Sequence, residues 1–316
     1  MKKILMILTL FSLLLIISCE LSMEAPKAGD VHYINVGIDY KNNGVTNIDV
    51  TDNLNGTVND AKELFDALGA VIGKSKRKAD GFLMVQEGNS PANSLDPDYP
   101  SLTNVKKYLE ELEATDKDLT IFTYSGHGIK ETGHLVLAYT GSKYETLDPR
   151  TLLSWMDAIP GKKLVILDSC FSGMAVEGSP SSTNTVLNNS ISKFFETYHS
   201  SGKYEKPDLY VLSASAHTDS YEAKFGTGAN AHVHGIFTYA LLEALGWNHT
   251  SDTAPLEGVS SYPPAAKNGR ITVDGLFRYI KKNQAIPSRM KLLSNWTHYQ
   301  HPLTTGGPLD LILFNL

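Results

Sequence analysis

Leu164-Val165-Ile166-Leu167 is a run of four apolar residues between Lys163 and Asp168, with nothing polar alternating through it. Such a strand is apolar on both faces and must be covered on both, as parallel sheets flanked by helices are. The segments around it agree. Val31 to Ile38 reads as a strand, and Val58 to Leu68 carries apolar residues at 58, 61, 64, 65 and 68, a helical period. Phe82 to Val85 and Leu119 to Tyr124 read as strands, separated by a helix that Thr103 caps and that carries Val105, Leu109 and Leu112 on one stripe. Leu135 to Tyr139 is assigned to a hairpin. Asp148-Pro149 starts a helix running to about Ile159, with an N-cap and a Pro at its first position. Further helices are expected around Ile191–Tyr198, Ile236–Leu245 and Val273–Lys282, with strands at Leu209–Leu212 and Leu309–Phe314. Strands alternating with helices give one α/β domain with a mostly parallel sheet. Residues 248–268, rich in Ser, Pro and Asn, read as an insertion.

Composition narrows function more than fold. With 28 Lys+Arg against 34 Asp+Glu the formal charge is −6, so no basic excess points to nucleic acid. Two cysteines exclude a disulfide-rich scaffold and a four-cysteine zinc site. Cys19 follows Lys2-Lys3 and an apolar stretch, Ile4 to Ile17, that is signal-peptide sized and too short to span a bilayer. Ile16-Ile17-Ser18-Cys19 resembles a bacterial lipobox. That resemblance implies a signal peptide over 1–18, a lipid-bearing Cys19, a tether over 19–30 and a domain over 31–316. The expected location is the bacterial cell envelope, periplasmic or surface-exposed, with the membrane reached through the lipid.

Cys170 sits at a strand end, in Asp168-Ser169-Cys170-Phe171-Ser172-Gly173. A second strand end carries Tyr124-Ser125-Gly126-His127-Gly128. Ligands of open parallel sheets bind at the carboxyl ends of strands, so both segments belong on one edge. A thiol becomes a strong nucleophile once an imidazole deprotonates it, and the same imidazole can later protonate a leaving amine. The flanking glycines admit substrate backbone and leave amides for an oxyanion. Singly, either residue reads more readily as a small core hydrophobe or a loop histidine; together they point to catalysis.

These two motifs resemble those of the caspase-like cysteine peptidases, in particular the metacaspase and bacterial orthocaspase branch. Leu54-Asn55-Gly56-Thr57-Val58-Asn59-Asp60-Ala61 is similar to that family's Leu-x-Gly-x-x-Asn-Asp-Ala segment. Ser213-Ala214-Ser215, the segment Gly235 to Leu242 and Gln300-His301-Pro302 are similar to later family segments. The resemblance implies a caspase-like three-layer sandwich with about six strands in its central sheet. It implies Cys170 as nucleophile, His127 as general base and acid, and the backbone N–H groups of Gly128 and Cys170 as oxyanion donors. Asp60, Ser125 and Asp168 would line the primary specificity pocket, with Thr57 where the family often has Cys. Two carboxylates there would select Lys or Arg before the scissile bond. Animal caspases read Gln-Ala-Cys at the nucleophile, where this chain has Asp-Ser-Cys.

Asp60 also reads as a first-turn helix charge, and Asp168 as a carboxylate satisfying loop amides. No cofactor is expected. Residues 129–147 hold Glu131 and Glu145 but no Asp, so the calcium site of some metacaspases is not expected. His232 and His234, with no carboxylate nearby in sequence, read as loop residues rather than metal ligands. Residues 174–207 lie where relatives carry a processing loop, which makes Lys193, Lys203 and Lys206 candidate self-cleavage points. Beside the peptidase stand a catalytically silent peptide- or protein-binding lipoprotein and a different thiol enzyme such as a transferase.

Overall fold

The computed structural model describes residues 28–41, 53–88, 96–129, 132–141, 143–170, 191, 193–198, 200–201, 208–214, 220–225, 228, 231–249, 251–254, 261–282, 300, 302–306 and 310–316. Cys19, the signal, the tether up to residue 27, Lys203 and Lys206 lie outside them. In chain order the elements are β1 (Val31–Ile38), α1 (Thr57–Lys74), β2 (Ala79–Gln86), α2 (Leu102–Glu110), β3 (Leu119–His127), β4 (Leu135–Tyr139), β5 (Tyr144–Leu147), α3 (Pro149–Ala158) and β6 (Lys162–Cys170). There follow β7 (Leu209–Ser213), β8 (Glu222–Phe225), β9 (His232–Gly235), α4 (Ile236–Leu245), β10 (Arg270–Thr272), α5 (Val273–Lys282), β11 (Leu303–Thr305) and β12 (Ile312–Asn315).

The central sheet has six strands in the order β11-β7-β6-β3-β1-β2. Five are parallel to one another, and β11 closes the edge antiparallel to β7. Alternation along the strands sorts the core into two layers. Tyr33, Ile121, Leu164 and Ile166 pack with Leu64, Leu68, Phe237 and Leu241 of α1 and α4. Ile34, Val36, Phe122, Val165 and Leu167 pack on the other side with Val105, Leu152 and Met156 of α2 and α3. Leu164–Leu167 is thus buried from both faces, as its composition requires.

Asp148 caps α3, accepting from the Arg150 backbone N–H, with Pro149 at the first position. At α2 the cap differs from expectation: Ser101, not Thr103, accepts from the Asn104 N–H, two residues earlier than the apolar stripe suggested. The last strand also differs. It is shorter than Leu309–Phe314 and pairs with β10 outside the central sheet, and β11 takes the edge position instead. The strand order reverses between β1 and β3, since β1 leads to β2 on one side and β3 leads to β6 on the other. The carboxyl end of that switch point is where such sheets bind ligands.

Candidate active site

β3 and β6 run side by side to their last residues, and the register ends by pairing His127 with Cys170. Register partners on neighbouring parallel strands lie about 4.8 Å apart. The two motifs are therefore brought to one spot on the carboxyl edge. Ser125 pairs with Asp168 two residues earlier.

Tyrosines fix the histidine from the α2–α3 face. The His127 backbone N–H donates to Tyr40 Oη at 2.7 Å, and Tyr124 Oη donates to the His127 carbonyl at 2.6 Å. Both phenols also reach the Val136 carbonyl, each at 2.8 Å. The Tyr40 ring packs on the His127 imidazole at 4.3 Å between centroids. Gly126 is required here, because a Cβ would run into the Tyr40 and Tyr124 hydroxyls. Gly128 follows the strand and bridges to Leu135, and a Cβ there would make only ordinary contacts, with the His134 carbonyl oxygen and Ser169 at 3.9 Å.

Carboxylates occupy the α1–α4 face. Asp60, in the first turn of α1, accepts from Ser125 Oγ at 2.7 Å, from His234 Nδ1 at 2.9 Å and from the Gly235 N–H. Asp168 accepts from Ser220 Oγ at 2.7 Å and from the Thr238 hydroxyl and N–H at 2.7 and 3.0 Å. Thr238 lies in the first turn of α4, so Asp168 satisfies an orphan amide at a helix start, where negative charge is favoured. Gln300 Nε2 supports Ser220 at 3.2 Å. Glu222 does for α1 what Asp168 does for α4, accepting from the Asn55 and Gly56 N–H groups. Asp60 and Asp168 are both 1% exposed. Burial pushes Asp60 up to about 7 against the hydrogen bonds from His234 and Ser125. Burial likewise raises Asp168 against its bonds from Ser220 and Thr238. Burial alone would lower His234, but its bonds to Asp60 and Glu63 outweigh it and hold the imidazole protonated, at about 10.

Asp60, Ser125, Asp168 and Thr238 line a cavity of about 10 Å³, room for one water molecule and far less than a Lys or Arg side chain. Thr57 does not line this cavity: its buried hydroxyl donates to the Ile38 carbonyl at 2.6 Å and ties α1 to the end of β1. His232 and His234 are not loop residues. They lie on β9 opposite α1, where Glu63 accepts from both. Their acidic partners were missed because Asp60 and Glu63 are remote in sequence. The available signal was a pair of two-residue-spaced histidines and an Asp-x-x-Glu helix face, each one-sided, waiting for the other.

The Caspase domain family matches residues 36–259. No curated protein matches the chain. Among solved structures, one described as pro-sf-caspase-1 is 16% identical with a TM-score of 0.48, over 92% of this chain and 97% of that one. Raptor of Chaetomium thermophilum is 15% identical with a TM-score of 0.37, over 71% of this chain and 18% of its own.

Proposed function

The chain belongs to the caspase-domain family, and on that premise we propose that it is a cysteine endopeptidase in which Cys170 attacks and His127 moves the proton. The observation that carries this reading is the register that pairs the two residues at the ends of β3 and β6. The Cys170 thiolate adds to the scissile carbonyl carbon, and the Gly128 and Cys170 N–H groups receive the oxyanion. The His127 imidazolium protonates the leaving amine. Water, deprotonated by His127, then hydrolyses the thioester. The metacaspase-like motifs and the carboxylates of Asp60 and Asp168 beneath the dyad support cleavage after Lys or Arg, with Ser125 orienting Asp60. The lipobox supports attachment to the cell envelope through Cys19; incorporation of labelled palmitate into the chain, lost in Cys19→Ala, tests it. No helix among the described residues is long and apolar enough to cross a membrane.

One observation favours the second reading, a silent peptide-binding module: both carboxylates already have protein donors around a one-water cavity. Hydrolysis of Arg-, Lys- and Asp-terminated fluorogenic peptides separates the two. The peptidase reading expects Arg and Lys peptides to be cut and Asp peptides spared. Cys170→Ala should lose at least ~10³-fold, as removal of a covalent nucleophile does. Absence of cleavage at several pH values, with and without calcium, would leave the binding module. Of the self-cleavage candidates, Lys193 lies in a helical stretch over 193–198 that must unwind before it can be cut. Wild type and Cys170→Ala both remaining one band on long incubation would remove self-processing.

A further inference from the structure

Glu63, His232 and His234 form a cluster that the peptidase chemistry does not use. Asp60 and Glu63 are one helical turn apart on α1, and His232 and His234 are two apart on β9, so each pair shows one face to the other. Glu63 Oε1 lies 2.8 Å from His232 Nδ1 and 3.3 Å from His234 Nε2. One ligand atom from each of the three falls within a 4.8 Å group. Partly exposed Asp252 places its Oδ2 3.2 Å from His232 Nδ1.

A second observation concerns Glu63 itself. The residue is 7% exposed, its Oε1 is crowded by two imidazoles, and its buried Oε2 has no hydrogen-bond partner among the described residues. A carboxylate used so unevenly is poorly explained by ion pairing alone, since an unpartnered buried oxygen is costly. A cation seated among the three groups and held by both oxygens of Glu63 would remove that cost. Ligands about 2.0–2.1 Å from a tetrahedral zinc ion lie about 3.3 Å from one another, near the 2.8 and 3.3 Å from Glu63 to the two imidazoles; the three atoms together lie within 4.8 Å. Two imidazoles and one carboxylate are a donor set that zinc accepts with a fourth position left for water. The outer contact is present too: His234 donates its other ring N–H to Asp60, the carboxylate–histidine–metal arrangement that fixes a ligand's tautomer. His232, one-third exposed, gives the ion a way in.

We propose that Glu63, His232 and His234 bind a divalent zinc ion, with Asp252 flanking the fourth coordination position. The ion displaces the protons on His232 Nδ1 and His234 Nε2 that otherwise point at Glu63, and these leave to solvent. It pins the β8–β9 hairpin and the start of α4 to α1, next to Asp60. The site does not depend on the peptidase reading.

The test uses untagged full chain carrying Cys19→Ala and Cys170→Ala, so that neither thiol can hold the metal. Zn²⁺ alone is titrated by calorimetry, and Co²⁺ is followed by its visible absorption. One Zn²⁺ per chain is expected, with a tetrahedral Co²⁺ spectrum and a melting temperature that rises with Zn²⁺ concentration. Glu63→Gln and His232→Ala should each weaken binding by at least ~100-fold with unchanged circular dichroism; Asp60→Asn, acting through His234, should weaken it ~10–100-fold. Asp252→Asn should have the smallest effect. Absence of saturable Zn²⁺ binding, or equal affinity in wild-type cluster and His232→Ala, overturns the site. Because His232 is partly exposed, its variant keeps the test valid if Glu63→Gln fails to fold.

Discussion

On the α2–α3 face of the sheet the polar groups near the carboxyl edge are neutral: Tyr40 and Tyr124 bond to each other, to the Val136 carbonyl and to the backbone of His127. On the α1–α4 face they are ionisable: Asp60, Asp168, Glu63, Glu222 and His234 share donors and one another. Neutral hydroxyls on backbone carbonyls cost little to bury and hold their geometry at any ordinary pH. Buried carboxylates persist only with partners, so their arrangement responds to a proton, a metal ion or a cationic substrate. One face fixes the histidine's main chain; the other carries the groups by which the site could be selective.

The largest expected effect breaks that contrast at its charged side. Asp168→Asn keeps an acceptor for Thr238 but removes the charge from the proposed pocket. Turnover of Arg and Lys peptides should fall about 10- to 100-fold, the worth of a charge-assisted hydrogen bond, while iodoacetamide labelling of Cys170 stays unchanged. Equal turnover by the variant would mean that Asp168 serves only as the cap of α4. In that case the loss should appear in thermal melting instead.

Gly235→Ala comes next. A Cβ at Gly235 would press on the Asp168 carboxylate, lying about 3 Å from Asp168 Cγ and from Asp60 Oδ2. Overpacking of this kind costs about 1–3 kcal/mol, measurable by denaturant titration. An unchanged midpoint would show that the two carboxylates can separate, and hence that the one-water cavity can widen for a substrate side chain.

Legibility in the sequence followed the same division. Apolar signals locate β1 and β7 closely, and Asp148-Pro149 locates α3, because burial and capping are local or periodic properties. β3 and β6 each run three residues beyond their apolar signals, which end at Tyr124 and Leu167, because Ser125-Gly126-His127 and Asp168-Ser169-Cys170 have no strand composition; pairing with each other keeps both extended. β8 and β9 went unread, since four-residue strands such as Glu222–Phe225 are held by each other and by the carboxylates beneath them rather than by propensity. The motifs around His127 and Cys170 were visible because each is contiguous. The partnership of Asp60 with His234, and of Asp168 with Ser220 and Thr238, was not, because it joins residues far apart in the chain whose types alone do not say who meets whom.

Tyr40→Phe gives the smallest effect and tests the neutral face directly. Removing the hydroxyl leaves the buried His127 N–H without its acceptor at 2.7 Å and takes one donor from the Val136 carbonyl, which Tyr124 still reaches. Tyr124 then shares its one proton between the Val136 and His127 carbonyls, the His127 N–H is the group left fully orphaned, and the cost should be about 1–3 kcal/mol. Burial and the neighbouring Tyr124 lift the Tyr40 phenol well above its ordinary value, so the group is neutral in folded and unfolded chains alike below its unfolded pKa. Proton uptake is then the same in both states, and the stability lost should not vary from mildly acidic to mildly alkaline conditions. Denaturant unfolding of wild type and variant across that range measures it. A loss that grew or shrank with pH would mean that the tyrosine face is coupled to the carboxylates on the other side of the sheet, and the division between a fixed face and a responsive one would fail.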